Sequence, residues 1–203
     1  VLLASFHLVE AWRGRRAWMR WKQSREAVGF RYERAHFVPP PVADADNFAR
    51  APRIAESVAG QPLKGLPVMP AALADPRFLG RWREGQRIDL EELKVKLQIS
   101  DLKDVLAPWE PELAALTEAA RRPACRLQRN YDDLENIPHL LDMRTRARML
   151  ALRALVNLRN GHAEAALEDL ETGLRVLAHL QQEPHLISQL LRLAWMNILM
   201  QVH

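Results

Sequence analysis

The apolar positions between residues 144 and 180 recur with the period of an α-helix. In the first half the stripe comprises Ala147, Ala151, Ala154 and Leu158, and in the second half Ala166, Leu170, Leu174, Leu177 and Leu180. Asn160-Gly161 separates the halves, and glycine readily takes the positive φ that ends a helix. The pattern predicts an antiparallel helical hairpin over residues 144–180.

Further helices are predicted on both sides of this hairpin. Residues 89–97 carry leucines at helical spacing, and Pro111 suits the first turn of a helix that runs to Pro123. Pro138 is predicted to open the helix that leads into the hairpin. Pro184 is predicted to start a last helix that is apolar nearly all round and therefore buried between neighbours. The sequence thus predicts a mainly α fold, with a helical body over residues 89–203 that is incomplete at its C-terminus.

A proline-rich segment precedes this body. Eight of the thirteen prolines lie between Pro39 and Pro76, and consecutive prolines favour extended backbone. The segment also carries enough large apolar residues to be tied down on a folded body. We therefore interpret residues 29–88 as a long irregular segment that wraps the body or spaces it from a membrane.

The first 28 residues change from apolar to Trp/Arg-rich. Residues 1–9 are too short to cross a bilayer, which takes about 20 residues, but the chain starts at Val1 without a methionine. We interpret them as the end of a transmembrane helix of a longer protein that protrudes as a juxtamembrane helix. The residues predicted to lie at the membrane interface are Trp12, Arg13, Arg15, Arg16, Trp18 and Trp21. The alternative is an ordinary amphipathic helix whose tryptophans pack on the body.

The positive charge of the chain is concentrated in its first 34 residues. The net charge is +4, but residues 1–34 hold eight Lys/Arg and three acidic residues, whereas the remainder holds 21 basic and 22 acidic residues. A nearly neutral body argues against nucleic acid as a partner, because nucleic-acid-binding domains concentrate basic residues on one face. A lipid bilayer is the partner predicted for the N-terminal helix.

Sequence signals of catalysis or cofactor binding are missing. There is no phosphate-binding loop, dinucleotide fingerprint or nucleophile elbow, and no two histidines have the spacing of a helical metal site. Cys125 stands among arginines that would lower the pKa of an accessible thiol, although a lone cysteine is more often a small packed residue. No cofactor is predicted, and the chain is more consistent with a non-catalytic protein than with an enzyme.

The first helix of the hairpin is basic. Arg144, Arg148 and Arg159 are the residues that we predict to form a docking surface for an acidic protein partner. The alternative is that the charges of both hairpin helices are solvated outer faces joined by weak pairs.

Two resemblances follow from these motifs. Ala154, Gly161, Ala166, Leu170 and Gly173-Leu174 are similar to a tetratricopeptide-type helical pair, although Leu150 and Asn157 stand where that family carries large aromatics. Separately, VEAWRGRRAW, FVPPPVADADNFARAP and RALVNLRNG with EPHLISQLLRLA resemble a group of uncharacterised bacterial proteins. That resemblance implies one N-terminal membrane helix and a helical body, but it implies no activity.

Together these observations predict a membrane-anchored interaction or scaffold module. The resemblance implies the bacterial inner membrane with the body on the envelope side, whereas the arginine cluster favours the cytoplasmic face. The alternative functions are a ligand-binding protein or enzyme whose site lies in missing C-terminal sequence, or a cytoplasm-facing helical adaptor.

Overall fold

The computed structural model describes residues 2–58, 67–74, 89–127, 131 and 141–200. This part of the chain is mainly helical, as the sequence predicts, and it contains no β-strand. The α-helices are α1 (Leu2–Glu26), α2 (Ile54–Val58), α3 (Ala71–Ala74), α4 (Leu90–Leu97), α5 (Lys103–Leu106), α6 (Glu110–Ala120), α7 (Leu141–Arg159), α8 (Ala163–Gln181) and α9 (Leu186–Leu199). Short 3-10 helices lie at Arg34–His36, Phe48–Arg50 and Ala107–Trp109.

Contacts divide the chain into two compact units, Val1–Pro39 and Pro40–His203. In the first unit, α1 ends before Gly29, whose φ of +95° reverses the backbone. Trp18 and Trp21 stack with ring centroids 5.0 Å apart, and the ring of Tyr32 lies 5.4 Å from that of Trp21. Trp18 and Trp21 thus contact each other and the turn that follows α1, while each keeps a large exposed fraction.

The predicted membrane anchor is wrong. Among the described residues, no helix has the length and apolar character that crossing a bilayer requires. The physical reason is the charge of α1, which carries an acidic or basic residue in nearly every turn from Glu10 onward. This finding overturns the transmembrane helix, the lipid bilayer as partner and the inner-membrane location with an envelope-side body. The membrane-interface role predicted for Trp12, Arg13, Arg15, Arg16, Trp18 and Trp21 is not tested by this finding and stays a prediction.

Several of those side chains have interactions within α1. The Arg16 guanidinium lies 5.3 Å from the Trp12 ring centroid, and Arg13 pairs with Glu10 at 3.0 Å. Such exposed pairs contribute little to stability.

The second unit is organised around the predicted hairpin. The turn at residues 160–162, with Gly161 at a φ of +79°, returns the chain so that α8 packs along α7. Helices α6 and α9 each pack on both helices of the hairpin. The core lies among these four helices. Leu150, Leu152, Leu113, Leu116 and Trp195 are almost completely buried in it. The helical hairpin is therefore confirmed, whereas its tetratricopeptide-like character stays a prediction.

The first part of the proline-rich segment packs into this core. Phe48, Ala49, Ala51 and Ile54 are buried, and Asn47 forms a bridge with Ala124. The Asn47 amide donates to the carbonyl of Arg126 and its oxygen accepts from the backbone N–H of the same residue, each at 2.9 Å. Residues 47–58, which we call the strap, thus lie across the end of α6. The role predicted for the whole of residues 29–88 stays a prediction. The predicted helix start at Pro138 lies outside the described residues.

Helix α9 packs on α7 and α8 through one of its faces. The opposite face, with Leu186, Leu190 and Leu193, is exposed.

Candidate functional site

The three arginines predicted to form a docking surface have different environments. Arg159 is exposed and pairs with Glu91 on α4. Arg144 is half-buried, and Arg148 is only 6 % exposed, with its guanidinium 3.8 Å from the Met69 sulfur. The structure therefore does not present them as one exposed surface, and docking of an acidic partner stays a prediction that rests on Arg159.

Two other arginines of α7 point into the protein. Arg146 is completely buried and donates to the Glu112 carboxylate of α6 at 3.1 Å, to the Ser57 hydroxyl at 3.2 Å and to the carbonyl of Arg53 at 3.3 Å. Glu112 is itself 1 % exposed and also pairs with the Arg53 guanidinium. One buried ion pair thus joins α6, α7 and the strap.

Burial makes this pair energetically demanding. Burial of the guanidinium away from water lowers the pKa of Arg146 to about 10, and the negative charge of Asp142 partly opposes this shift. Two isolated charges in the interior would be strongly destabilising, but here Arg146 donates to three oxygen atoms and Glu112 pairs with two guanidinium groups. The pair therefore fixes how α6, α7 and the strap fit together.

Arg153 lies two turns after Arg146 on α7 and forms a second network of charged side chains. Its guanidinium donates to both oxygens of Asp169 on α8, the shortest contact being 2.5 Å, and to Glu110 at 2.7 Å. Burial alone would lower the pKa of Arg153, but the two carboxylates outweigh burial and raise it. Asn157 completes the network by donating to Asp169 at 3.3 Å.

This network lies at the base of an open groove. The groove has a volume of about 460 Å³ and is bounded by the turn between α7 and α8, by α5 and by the start of α6. Lys103, Asn160, His162 and Glu168 also line the groove. Its buried charges neutralise one another, and the described residues contain no group of three His, Cys, Asp or Glu side chains that could hold a metal ion. The groove can therefore accept a polar surface, but its lining lacks an activated nucleophile.

Cys125 has the properties of a packed residue. Its side chain is 1 % exposed, and burial, reinforced by the charge of Glu183, raises the pKa of the thiol to about 12. A thiol that is both buried and protonated is a poor nucleophile. The nearby arginines therefore do not activate it.

A buried polar cluster surrounds that cysteine. His179 stacks on Phe48 with ring centroids 4.8 Å apart, and its Nε2 lies 3.2 Å from the carbonyl oxygen of Ala120. Glu183 accepts hydrogen bonds from the Tyr131 hydroxyl at 2.7 Å and from the backbone N–H of Leu127 at 3.1 Å. These contacts connect the end of α8 to the strap and to the segment after α6, which is a structural role.

The outer face of α9 is the feature that points to function. Leu186, Leu190, Leu193 and Met200 are 54–70 % exposed, and Ile187 and Met196, which flank them, are 38 % and 45 % exposed. The opposite side of the same helix packs through Trp195, Ile198 and Leu199, which are buried. Sequence reasoning missed this face, because an all-round apolar helix gives no indication of which side a neighbour covers. The step of four and three residues between Leu186, Leu190 and Leu193 was the available signal.

Comparisons of the chain with protein-family models, with curated proteins and with solved structures gave no significant match. The resemblance to a group of bacterial helical proteins therefore stays a prediction.

Proposed function

We propose that this chain is a non-catalytic helical interaction module that binds a protein partner through the outer face of α9, defined as Leu186, Ile187, Leu190, Leu193, Met196 and Met200. The observation that carries the proposal is the exposure of these six apolar side chains on one helix. A contiguous apolar patch on a protein surface is typical of a site that another macromolecule covers.

The energetics of the face support this function. Full burial of a leucine or methionine side chain stabilises a complex by about 1.5–3 kcal/mol. Leu190 and Leu193 lie one turn apart at the middle of the face, where water is most easily excluded by a partner. Helices that dock into hydrophobic grooves use anchor residues at this spacing.

The buried charged groups favour a structural role for the rest of the helical body. Arg146 pairs with Glu112 and Arg153 with Asp169, in both cases between different helices. Catalytic groups would be expected to converge on a cleft with perturbed and complementary pKa values. The two members of each pair carry opposite charges that neutralise one another, and the pairs join α6 to α7 and α7 to α8.

The test is affinity capture with purified protein as bait. The wild-type chain, Leu190→Glu and Val95→Glu are immobilised at equal density, and the proteins retained from a lysate of the source organism are quantified by mass spectrometry. Val95 on α4 is 76 % exposed and is the matched control. We expect at least one protein that is retained by the wild type and by Val95→Glu but lost by Leu190→Glu, because a buried charge opposes docking. Identical retained sets for all three baits would contradict the proposal.

A further inference from the structure

We infer that α1 binds a single strand of nucleic acid, with phosphates on an arginine face formed by Arg13, Arg16 and Arg20 and with a base on the ring of Trp12. This inference concerns the first unit of the chain and is independent of the outer face of α9. Three observations carry it: the charge of that unit, the alignment of its arginines and the exposure of a tryptophan beside them.

The first unit concentrates the positive charge of the chain. Val1–Pro39 holds eight Lys/Arg and three acidic residues, whereas the second unit holds 21 basic and 22 acidic residues. The neutrality that argues against nucleic acid therefore belongs to the second unit alone. A local excess of positive charge attracts a polyanion, because binding releases the counterions held by its phosphates.

Three arginines line one face of α1. Arg16 and Arg20 follow Arg13 by three and seven residues, which places all three on the same side of an α-helix. All three are exposed; Arg13 pairs with exposed Glu10, whereas Arg16 and Arg20 form no ion pair within the part of the chain that the structure describes. At 1.5 Å per residue the arginine face is about 10 Å long, which matches about three nucleotides stacked 3.4 Å apart. The arginine face can therefore contact successive phosphates of one strand.

Trp12 adds a surface on which a base can stack. Its side chain is 59 % exposed, and the Arg16 guanidinium lies 5.3 Å from the centroid of its ring. A nucleotide whose base stacks on this ring can place its phosphate near that guanidinium. The bases of a duplex already stack on one another, so an exposed ring beside arginines favours a single strand.

Other polyanions fit α1 less well. An acidic peptide would pair with the arginines but would leave the tryptophan ring in water. A helix that lies on an anionic bilayer buries an apolar face. In α1, however, Arg25 follows Trp18 and Trp21 by seven and four residues, and its guanidinium lies 5.9 Å from the Trp21 ring centroid. The side that carries these two tryptophans is therefore also charged.

Fluorescence anisotropy tests the phosphate contacts, with the full chain and a labelled oligothymidylate of about 15 nucleotides. Between about 50 and about 200 mM salt, we expect the logarithm of the affinity to fall against the logarithm of the salt concentration with a slope of about −2, as three phosphate contacts require. Arg20→Ala should weaken binding and make this slope about one third smaller. Arg175→Ala removes an exposed arginine of α8 and should change neither quantity. A wild type that does not bind, or equal effects of the two variants, overturns the inference.

Trp12→Leu separates base stacking from charge. We expect it to lower the affinity for the single strand about fivefold or more, with the salt slope unchanged, and to leave the affinity for a duplex of the same length unchanged. Phe37→Leu, at another exposed aromatic residue, is the control and should bind the single strand as the wild type does. Circular dichroism verifies that each variant is folded. An unchanged affinity of Trp12→Leu for the single strand, or an equal loss for the single strand and the duplex, contradicts stacking on Trp12 and overturns the inference.

Two further polyanions test the class of partner. A polyglutamate peptide, and vesicles of equal parts phosphatidylcholine and phosphatidylserine, are titrated with the wild type at the same salt concentration. We expect both to bind more weakly than the oligonucleotide. If either binds as tightly or more tightly, the arginine face belongs to that class of partner and the inference is wrong. Capture by the outer face of α9 is measured with Leu190→Glu, which leaves α1 unchanged, so this inference and the proposed function fail separately.

Discussion

Gly173 on α8 lies directly against Leu199 on α9. A Cβ added at Gly173 would fall 2.6 Å from Leu199 Cδ1 and 3.2 Å from its Cγ, closer than such atoms normally approach. The absence of a side chain at residue 173 is therefore what lets α9 pack closely on the hairpin. Since Leu199 belongs to the buried face of α9, this contact also fixes the direction in which the opposite face points.

Gly173→Ala tests this contact in a double-mutant cycle with Leu199→Ala. Alanine in a helix interior is more stable than glycine by up to about 1 kcal/mol, but in the wild type overpacking against Leu199 costs about 1–3 kcal/mol. We expect Gly173→Ala to lower the free energy of unfolding in the wild type and to raise it in the Leu199→Ala background. Urea denaturation measures both. The same sign in the two backgrounds would show that the close approach does not limit the packing.

Glu112→Ala should be strongly destabilising. It leaves Arg146 buried without its carboxylate partner, and removal of one member of a buried ion pair costs about 3–5 kcal/mol. Thermal and urea denaturation measure the loss.

The matched control for that variant is Glu118→Ala on the same helix. Glu118 is 78 % exposed and pairs with exposed Arg121, so its removal should change stability very little. The double variant Glu112→Leu with Arg146→Met should recover most of the loss, because it removes both buried charges together. A double variant no more stable than Glu112→Ala would contradict this account.

His179 should make the protein less stable as the pH falls. Burial lowers the pKa of His179 below its ordinary value of 6.5, although the Ala120 carbonyl partly opposes the shift. The unfolded chain therefore binds a proton at a higher pH than the folded chain, and stability is lost as the pH falls from neutral through 6.5 toward the folded-state pKa. We expect a smaller loss in His179→Gln than in the wild type.

Denaturant midpoints at a series of pH values measure this difference. His162→Gln, at an exposed position beside the hairpin turn, is the control and should keep the wild-type pH dependence. If His179→Gln and the wild type lose stability equally over this range, another group is responsible.

Cys125 should react slowly in the folded protein. With a pKa of about 12 instead of 9, its thiolate fraction at pH 8 is roughly a thousandfold lower, and burial hinders access of a reagent. Iodoacetamide labelling followed by mass spectrometry should show rapid modification in denaturant and very slow modification without it. Val95→Cys provides an exposed thiol for comparison. Equal labelling rates at the two positions in the folded protein would disprove the buried, protonated state.

The local elements of this protein could be predicted from the sequence because they depend on neighbours a few residues apart. Helical period and Asn160-Gly161 specify the hairpin, and Asp89 caps α4 by accepting hydrogen bonds from the backbone of Glu91 and Glu92. The sequence also predicts the N-terminal helix, but it does not specify the surroundings of that helix. Tryptophan and arginine in alternation suit a membrane interface, and they suit equally well a helix whose rings and guanidinium groups contact one another.

The candidate site could not be predicted in the same way, because it depends on pairs that are distant along the chain. Arg144 and Arg146 stand two residues apart in the same stretch of the sequence, yet Arg146 is buried against Glu112 and Ser57 while Arg144 is half-buried. The difference comes from the strap and α6, whose positions only the packed core specifies. Which face of α9 is buried likewise depends on how the helix packs on α7 and α8.

The sequence by itself determined that this chain folds into amphipathic helices, that residues 144–180 form a hairpin and that its basic charge is concentrated at one end. The tertiary structure decided which arginines are buried and which side of α9 is left exposed. The physical reason is that helical period and capping are local, whereas burial and desolvation of a side chain depend on which distant segment covers it.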